Sequence, residues 1–202
     1  MNDWLADTLT RDIDPMTRRA SQVRSVIHPV KEIPEGFEGA GYGRIVRFEQ
    51  PRMLGDIAQC IRRGLGELSG LSIAVPQTVP VGQKNQIQIS SVGLCAGSGG
   101  SMLGGLDVDL LFTGELSHHE ALAAIEQGKC VITAFHSNTE RLFLRNVLQE
   151  QLAQEIWTEF HKLSATLASV EGLSQKPEIA ISEADRDPFE SISEEMVDGG
   201  QW

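Results

Sequence analysis

Residues 93–145 constrain the fold more than any other part of the chain. Three short, β-rich apolar runs lie here, at residues 91–95, 108–113 and 130–135. Between the second and third, Leu122, Ile125 and the alanines mark one face of a helix that Gly128 closes. Apolar runs of this length alternating with a helical pattern argue a sheet whose strands are buried on both faces. Polar groups collect just beyond the strands. Gly97, Ser98, Gly99 and Gly100 follow the first, Glu115, Ser117, His118 and His119 the second, and His136, Ser137, Asn138 and Glu140 the third. Open α/β sheets bind ligands beyond the carboxyl ends of their strands, so one rim gathers a glycine loop, three histidines and two carboxylates. The fold class is α/β, a layered α-β-α body with a mixed sheet.

Charge and cysteine usage narrow the class of partner. A net charge of −11 excludes the electrostatic route to nucleic acid. Much of that charge lies near the end. Glu178, Glu183, Asp185, Asp187, Glu190, Glu194, Glu195 and Asp198 face only Arg186 there, eight acids against one base, leaving −7. Residues 1–182 read as one α/β domain and residues 183–202 as an acidic tail expected to be disordered or ordered only against a partner. Cys60, Cys95 and Cys130 are scattered inside apolar segments, which suits buried thiols in a reducing compartment, and a cytoplasmic location is expected. No basic-then-apolar leader opens the sequence and no apolar run is long enough to span a bilayer, so no membrane partner is expected.

Taken in order, residues 1–9 read as a helix with Asn2 as its cap, with no earlier element to pack on, which suggests that something upstream is missing. Residues 10–21, with Pro15, read as a loop. Strands are expected at 23–30, 42–49, 72–75 and 86–95, and Pro51 is expected to open a helix through Gly64 with Leu54, Ile57, Ala58 and Ile61 on one face. Leu144, Leu148, Leu152, Ile156 and Phe160 then recur every four residues, with Leu163 and Leu167 continuing, so a long helix is expected with a break near Ser164 or a projecting end. Residues 177–182 suit a last edge strand.

His136 and Glu140, four residues apart, have two readings. Imidazole nitrogen and carboxylate oxygen can converge on one divalent ion. Alternatively, Ser137 and Glu140 form a capping box, as do Ser117 and Glu120 before the preceding helix. Glu115 suits a general base or an acceptor that orients a histidine. His118 and His119, adjacent at a helix start, cannot both face one pocket. The glycine loop offers backbone amides to an anion, or is a tight turn needing positive φ. It has neither the Walker spacing nor the dinucleotide fingerprint. His28 and His161 read as structural.

The segments CAGSGGSML, DLLFTGELSHHEALAAIEQGK and VITAFHSNTER resemble the Nif-three-like family (Ngg-one-interacting-factor-three), many of whose members carry the label GTP cyclohydrolase I type 2 homologue. The similarity is greatest to fungal members. It extends back through EGFEGAGYGRIVRF to about Asn2 and forward to SEADRDP. It implies two α/β lobes with two divalent ions (zinc, iron or manganese) in the cleft between them, and a ring-shaped homo-oligomer. By resemblance, His136 and Glu140 are metal ligands, Gly97, Ser98, Gly99, Gly100 and Ser101 line the cleft as an anion-binding loop, Glu115 and His119 handle protons, and His118 and Asn138 support the ligands. The family's other ligands, a His-His-Pro motif and a later Asp, belong to its first lobe. Here Ile27-His28-Pro29 has a single His, so the resemblance is to the C-terminal half and implies half of a dinuclear site. The expected function is metal binding with a hydrolase or phosphate-ester-binding site, incomplete and inactive in this piece alone. The alternatives are a non-catalytic scaffold with a protein partner, or a nucleotide-phosphate binder acting through the glycine loop.

Overall fold

The computed structural model describes residues 1–10, 14–33, 35–68, 70–166, 178–184, 186–189 and 194–200. The chain divides into two units, Met1–Val147 and Leu148–Trp202.

Unit 1 is built on a six-stranded mixed sheet of order β1-β2-β4-β5-β6-β3. Two helices come first, α1 (Asn2–Thr8) and α2 (Pro15–Ser21). The latter was read as loop. Asp14 explains the difference, because its carboxylate accepts from the amides of Met16 and Thr17 and Pro15 takes the first helical position. β1 (Gln22–Pro29) and β2 (Gly41–Met53) form an antiparallel pair. β2 runs past Pro51, which was expected to open the next helix. A register break between Arg47 and Arg52 lies against β4 (Gln88–Ser98), and a bulge is where a strand accepts proline. α3 (Leu54–Gly64) therefore starts later, with Leu54, Ile57 and Ile61 buried as the 3.6-residue spacing requires.

β3 (Ser72–Ala74) is a short edge strand antiparallel to β6 (Cys130–Thr133). β4, β5 (Leu110–Glu115) and β6 are parallel, so their carboxyl ends share one rim. α4 (Gly100–Leu103) follows β4 and α5 (His118–Glu126) follows β5. The period of two sorts the strand residues between two cores. Leu110, Phe112, Cys130 and Ile132 join Leu5, Leu9, Ile57 and Ile61 on one face. Leu111 and Val131 join Leu103 and Ala124 on the other. Helices thus cover both faces, the α-β-α layering expected of runs this apolar.

α1 is held by more than its buried Leu5, Ala6 and Leu9. Arg44 on β2 is 9% exposed and makes a two-pronged pair with Asp3, at 2.7 and 2.6 Å. Asn2 does not cap the helix. Its side-chain oxygen accepts instead from the Ala96 amide at 3.0 Å, which ties α1 to β4. Beyond β6 come a turn at Ser137–Thr139, the short α6 (Arg141–Phe143) and a π-helical stretch, Leu144–Leu148.

In unit 2, α7 (Gln149–Thr166) is unbroken at Ser164, and Leu167 lies outside the described residues. Residues 178–182 form no strand, and Pro177 lies outside the described residues. Within the acidic tail, Glu194–Gly199 forms a short helix, α8; residues 185, 190–193 and 201–202 lie outside the description.

Candidate functional site

The parallel order of β4, β5 and β6 fixes what meets at the rim. Glu115 ends β5, His136 stands just past β6, and Gly97 lies in the last turn of β4's ladder. Ser98 pairs with Glu115, so the start of the glycine loop is strand rather than loop.

His136 sits between two carboxylates. Its Nδ1 is 2.9 Å from Oε1 of Glu115, and its Nε2 is 3.5 Å from Oε1 of Glu140. The side chains of Glu115, His136 and Glu140 are 54%, 49% and 36% exposed, so water or an ion reaches all three. The Ser137–Glu140 capping box does not form. No side-chain cap bond is made at this turn, and the Glu140 carboxylate turns toward His136 instead. The box at Ser117 and Glu120 does form, with both reciprocal bonds. Those bonds from Ser117 hold the Glu120 carboxyl below its usual range.

Gly97 has φ +69°, and a Cβ there would lie 2.8 Å from Glu140 Oε1 and 3.0 Å from His136 Nε2. Only glycine leaves room for the pair. Its backbone is pinned on both sides by threonines with no exposed surface. Thr113 donates its hydroxyl to the Gly97 carbonyl at 2.9 Å, and the Gly97 amide donates to the Thr139 hydroxyl at 2.8 Å. Thr139 in turn donates to the carbonyl of His136 at 2.8 Å. Neither threonine was singled out from the sequence. The signal was a polar residue closing the apolar run at 113, and another between the histidine and the glutamate at 139.

Three positions of the glycine loop meet groups of the chain itself. The amide of Gly97 is used by Thr139, that of Gly99 by the carbonyl of Glu115, and a Cβ on Gly100 would collide with the carboxylate of Glu120. The chain's own acid already faces the start of α4, leaving Ser98 exposed as a strand residue. Asn138 donates its side-chain amide to the carbonyl of Ala134 at 2.8 Å, bracing the turn that carries His136. The exposed rings of His118 and His119 meet edge-on with centroids 5.9 Å apart.

Cys95 lies behind the pair, 7% exposed. Burial first, and then the charge of Glu140, push its thiol above the ordinary cysteine value, so it supplies no thiolate. Among the described residues no group of three or more His, Cys, Asp or Glu side chains is placed to hold a metal ion. One imidazole and one carboxylate fit an ion as part of a donor set, in the manner of an open site rather than a closed one.

The fold and this rim define the class: an α-β-α protein with polar side chains gathered at the carboxyl ends of parallel strands. The description Duf34/NIF3 (NGG1p interacting factor 3) matches residues 1–169. The chain belongs to that family. It is 37% identical over 192 residues to the protein NIF3 homolog of Schizosaccharomyces pombe, covering 95% of this chain and 59% of that protein. It is 37% identical over 152 residues to human NIF3-like protein 1, covering 75% of this chain and 34% of that one. The chain therefore spans about a third of the human relative and three fifths of the Schizosaccharomyces pombe one. A Bacillus cereus protein related to NIF3 shares the fold, with TM-score 0.53, 22% identity, and coverage of 75% of this chain and 36% of that one.

Proposed function

We propose that this chain carries part of a divalent-metal site, with His136 and Glu140 as ligands and Glu115 holding the imidazole. The observation behind the reading is the seat of His136. A neutral imidazole has one N–H, and Glu115 takes it at Nδ1, which turns the Nε2 lone pair toward a Glu140 oxygen 3.5 Å away. Two electron-rich atoms face each other at that distance over a cation or over a second proton on the ring. A carboxylate on the far nitrogen is the usual companion of a metal-bound histidine, because it fixes the tautomer and raises the ligand's basicity. A divalent ion there supplies Lewis acidity and acidifies bound water, the chemistry of phosphate-ester and related hydrolyses.

The chain's own residues set the conditions. Gly97 leaves space, Thr113 and Thr139 keep its backbone still, and Asn138 fixes the turn. With two protein ligands the remaining coordination positions belong to water, substrate or groups from outside this chain. Hydrolysis by a two-ion site, with Glu115 or His119 moving protons, would require an assembly that supplies the remaining ligands.

The test is metal content. The full chain is equilibrated with zinc, manganese or ferrous iron, dialysed and assayed beside His136→Ala. The expected result is one ion per parent chain and none in the variant. No ion in either, or equal ions in both, contradicts the reading.

A second reading has its own observation. The 18-residue α7 leaves Leu152, Ile156 and Leu163 exposed at 42%, 37% and 53%, an apolar stripe on a helix surface. The related Saccharomyces cerevisiae protein, 43% identical over 119 residues (57% of this chain, 40% of that one), is named NGG1-interacting factor 3. A protein partner, or a second copy in a homo-oligomer, suits the stripe. Light scattering of the parent and of a Leu152→Glu, Ile156→Glu variant tests the second copy, which requires a larger mass that the variant loses.

A further inference from the structure

Phe135 stands immediately before His136 with φ +65°. The left-handed region is uncommon for any residue but glycine, asparagine or aspartate, and for a bulky one it is a genuine outlier. Such strain persists where the surroundings impose it, and it clusters at ligand clamps and active sites. The surroundings here are explicit. A Cβ on Gly114 would lie 2.6 Å from the Gly97 carbonyl, 2.9 Å from the His136 Cα and 3.0 Å from the Phe135 carbonyl, so the turn packs tightly against Gly114 of β5. The left-handed turn is what lets His136 leave β6 and reach Glu115. Glycine would make that turn without strain. The chain has a phenylalanine instead, and its side chain is not used in the core. Phe135 is 53% exposed, between fully buried Ala134 and the half-exposed His136.

Among the described residues, this exposed aromatic in a strained conformation, one residue from a candidate metal ligand, belongs to neither hydrophobic core. We propose that Phe135 is a specificity-determining residue, a flat apolar platform for an aromatic ring on the ligand that the His136–Glu140 pair holds. This inference rests on the metal reading for the position of the ligand's polar end. It adds the ligand's other end: a planar ring joined to an anionic, oxygen-bearing group. Packing of two aromatic faces adds about 0.5–1.5 kcal/mol beyond area burial, which is about a two- to tenfold preference for a ring.

The experiment uses the full chain with zinc and two probes sharing one head group, phenylphosphonate and methylphosphonate, with binding measured by calorimetry. Metal content and thermal unfolding are recorded on the same samples. The parent should bind phenylphosphonate about two- to tenfold more tightly than methylphosphonate. In Phe135→Gly that ratio should fall to near one while methylphosphonate binding and metal content stay as they were. Phe135→Gly and Phe135→Asn should both melt higher than the parent, because each accepts the left-handed turn more readily. Phe135→Tyr should keep the ratio. An unchanged ratio in Phe135→Gly, a lower melting temperature in both the Gly and Asn variants, or no binding of either probe by the parent overturns the proposal. A parent that holds no ion yet keeps a ring preference lost in Phe135→Gly sinks the metal reading and leaves the platform standing.

Discussion

His136 is useful only because of what holds its other nitrogen. Glu115 is 21 residues earlier, on a different strand, and meets Nδ1 at 2.9 Å. Losing such an outer partner costs about ten- to a hundredfold in metal affinity. Glu115→Gln should therefore weaken zinc binding by about that factor with the fold intact, as read by calorimetry and circular dichroism together. Full affinity in the variant would remove Glu115 from the site. Cys130 makes the opposite point, a reactive group kept inert. It is 1% exposed, and burial, then the nearby charge of Asp109, push its thiol up to about 11. Native protein at pH 8 should leave Cys130 unmodified by iodoacetamide, with labelling only after unfolding, as peptide mass analysis would show. Prompt labelling of the native chain would contradict the burial.

Among the elements, α1 depends on a charge. Burial acts to raise the Asp3 carboxyl, but the hydrogen bonds and charge of Arg44 outweigh it and hold the group below its ordinary value. A depressed folded value means stability present above the unfolded value of about 3.9 and lost as pH falls through the folded one. Urea unfolding should thus show the parent weakening below about pH 4 more steeply than Asp3→Asn, which lacks the pair. Equal slopes would mean that the Asp3–Arg44 pair adds nothing to the hold on α1. The elements also show what a sequence reveals of itself. Buried runs on β4, β5 and β6 were legible because strands covered on both faces cannot alternate with polar residues. The helix of Pro15–Ser21 was not, because Asp14 capping looks like any acidic loop. Pro51 misled for a related reason. It marks a helix start or a strand bulge equally well, and only the pairing with β4 decides.

At the scale of the molecule, the proposed ligand pair His136 and Glu140 stood out as a spacing within one segment, and Glu115 as an acceptor for a histidine, whereas the threonines that seat the pair did not. Gly97, Thr113, Glu115 and Thr139 reach it through the order of parallel strands, a long-range property of the sheet. The same sheet belongs to one unit ending at Val147. A chain cut after Val147 should keep a cooperative thermal transition, because both cores lie within it. A broad, non-cooperative melt would show that the remaining residues are needed for the fold.

The central claim is a position for a cation, and anomalous diffraction from crystals soaked in zinc reads that position directly. The account predicts a peak bonded to Nε2 of His136 and to a carboxylate oxygen of Glu140, with Glu115 still on Nδ1. Density showing no ion there, with His136 doubly protonated between the two carboxylates, would contradict it.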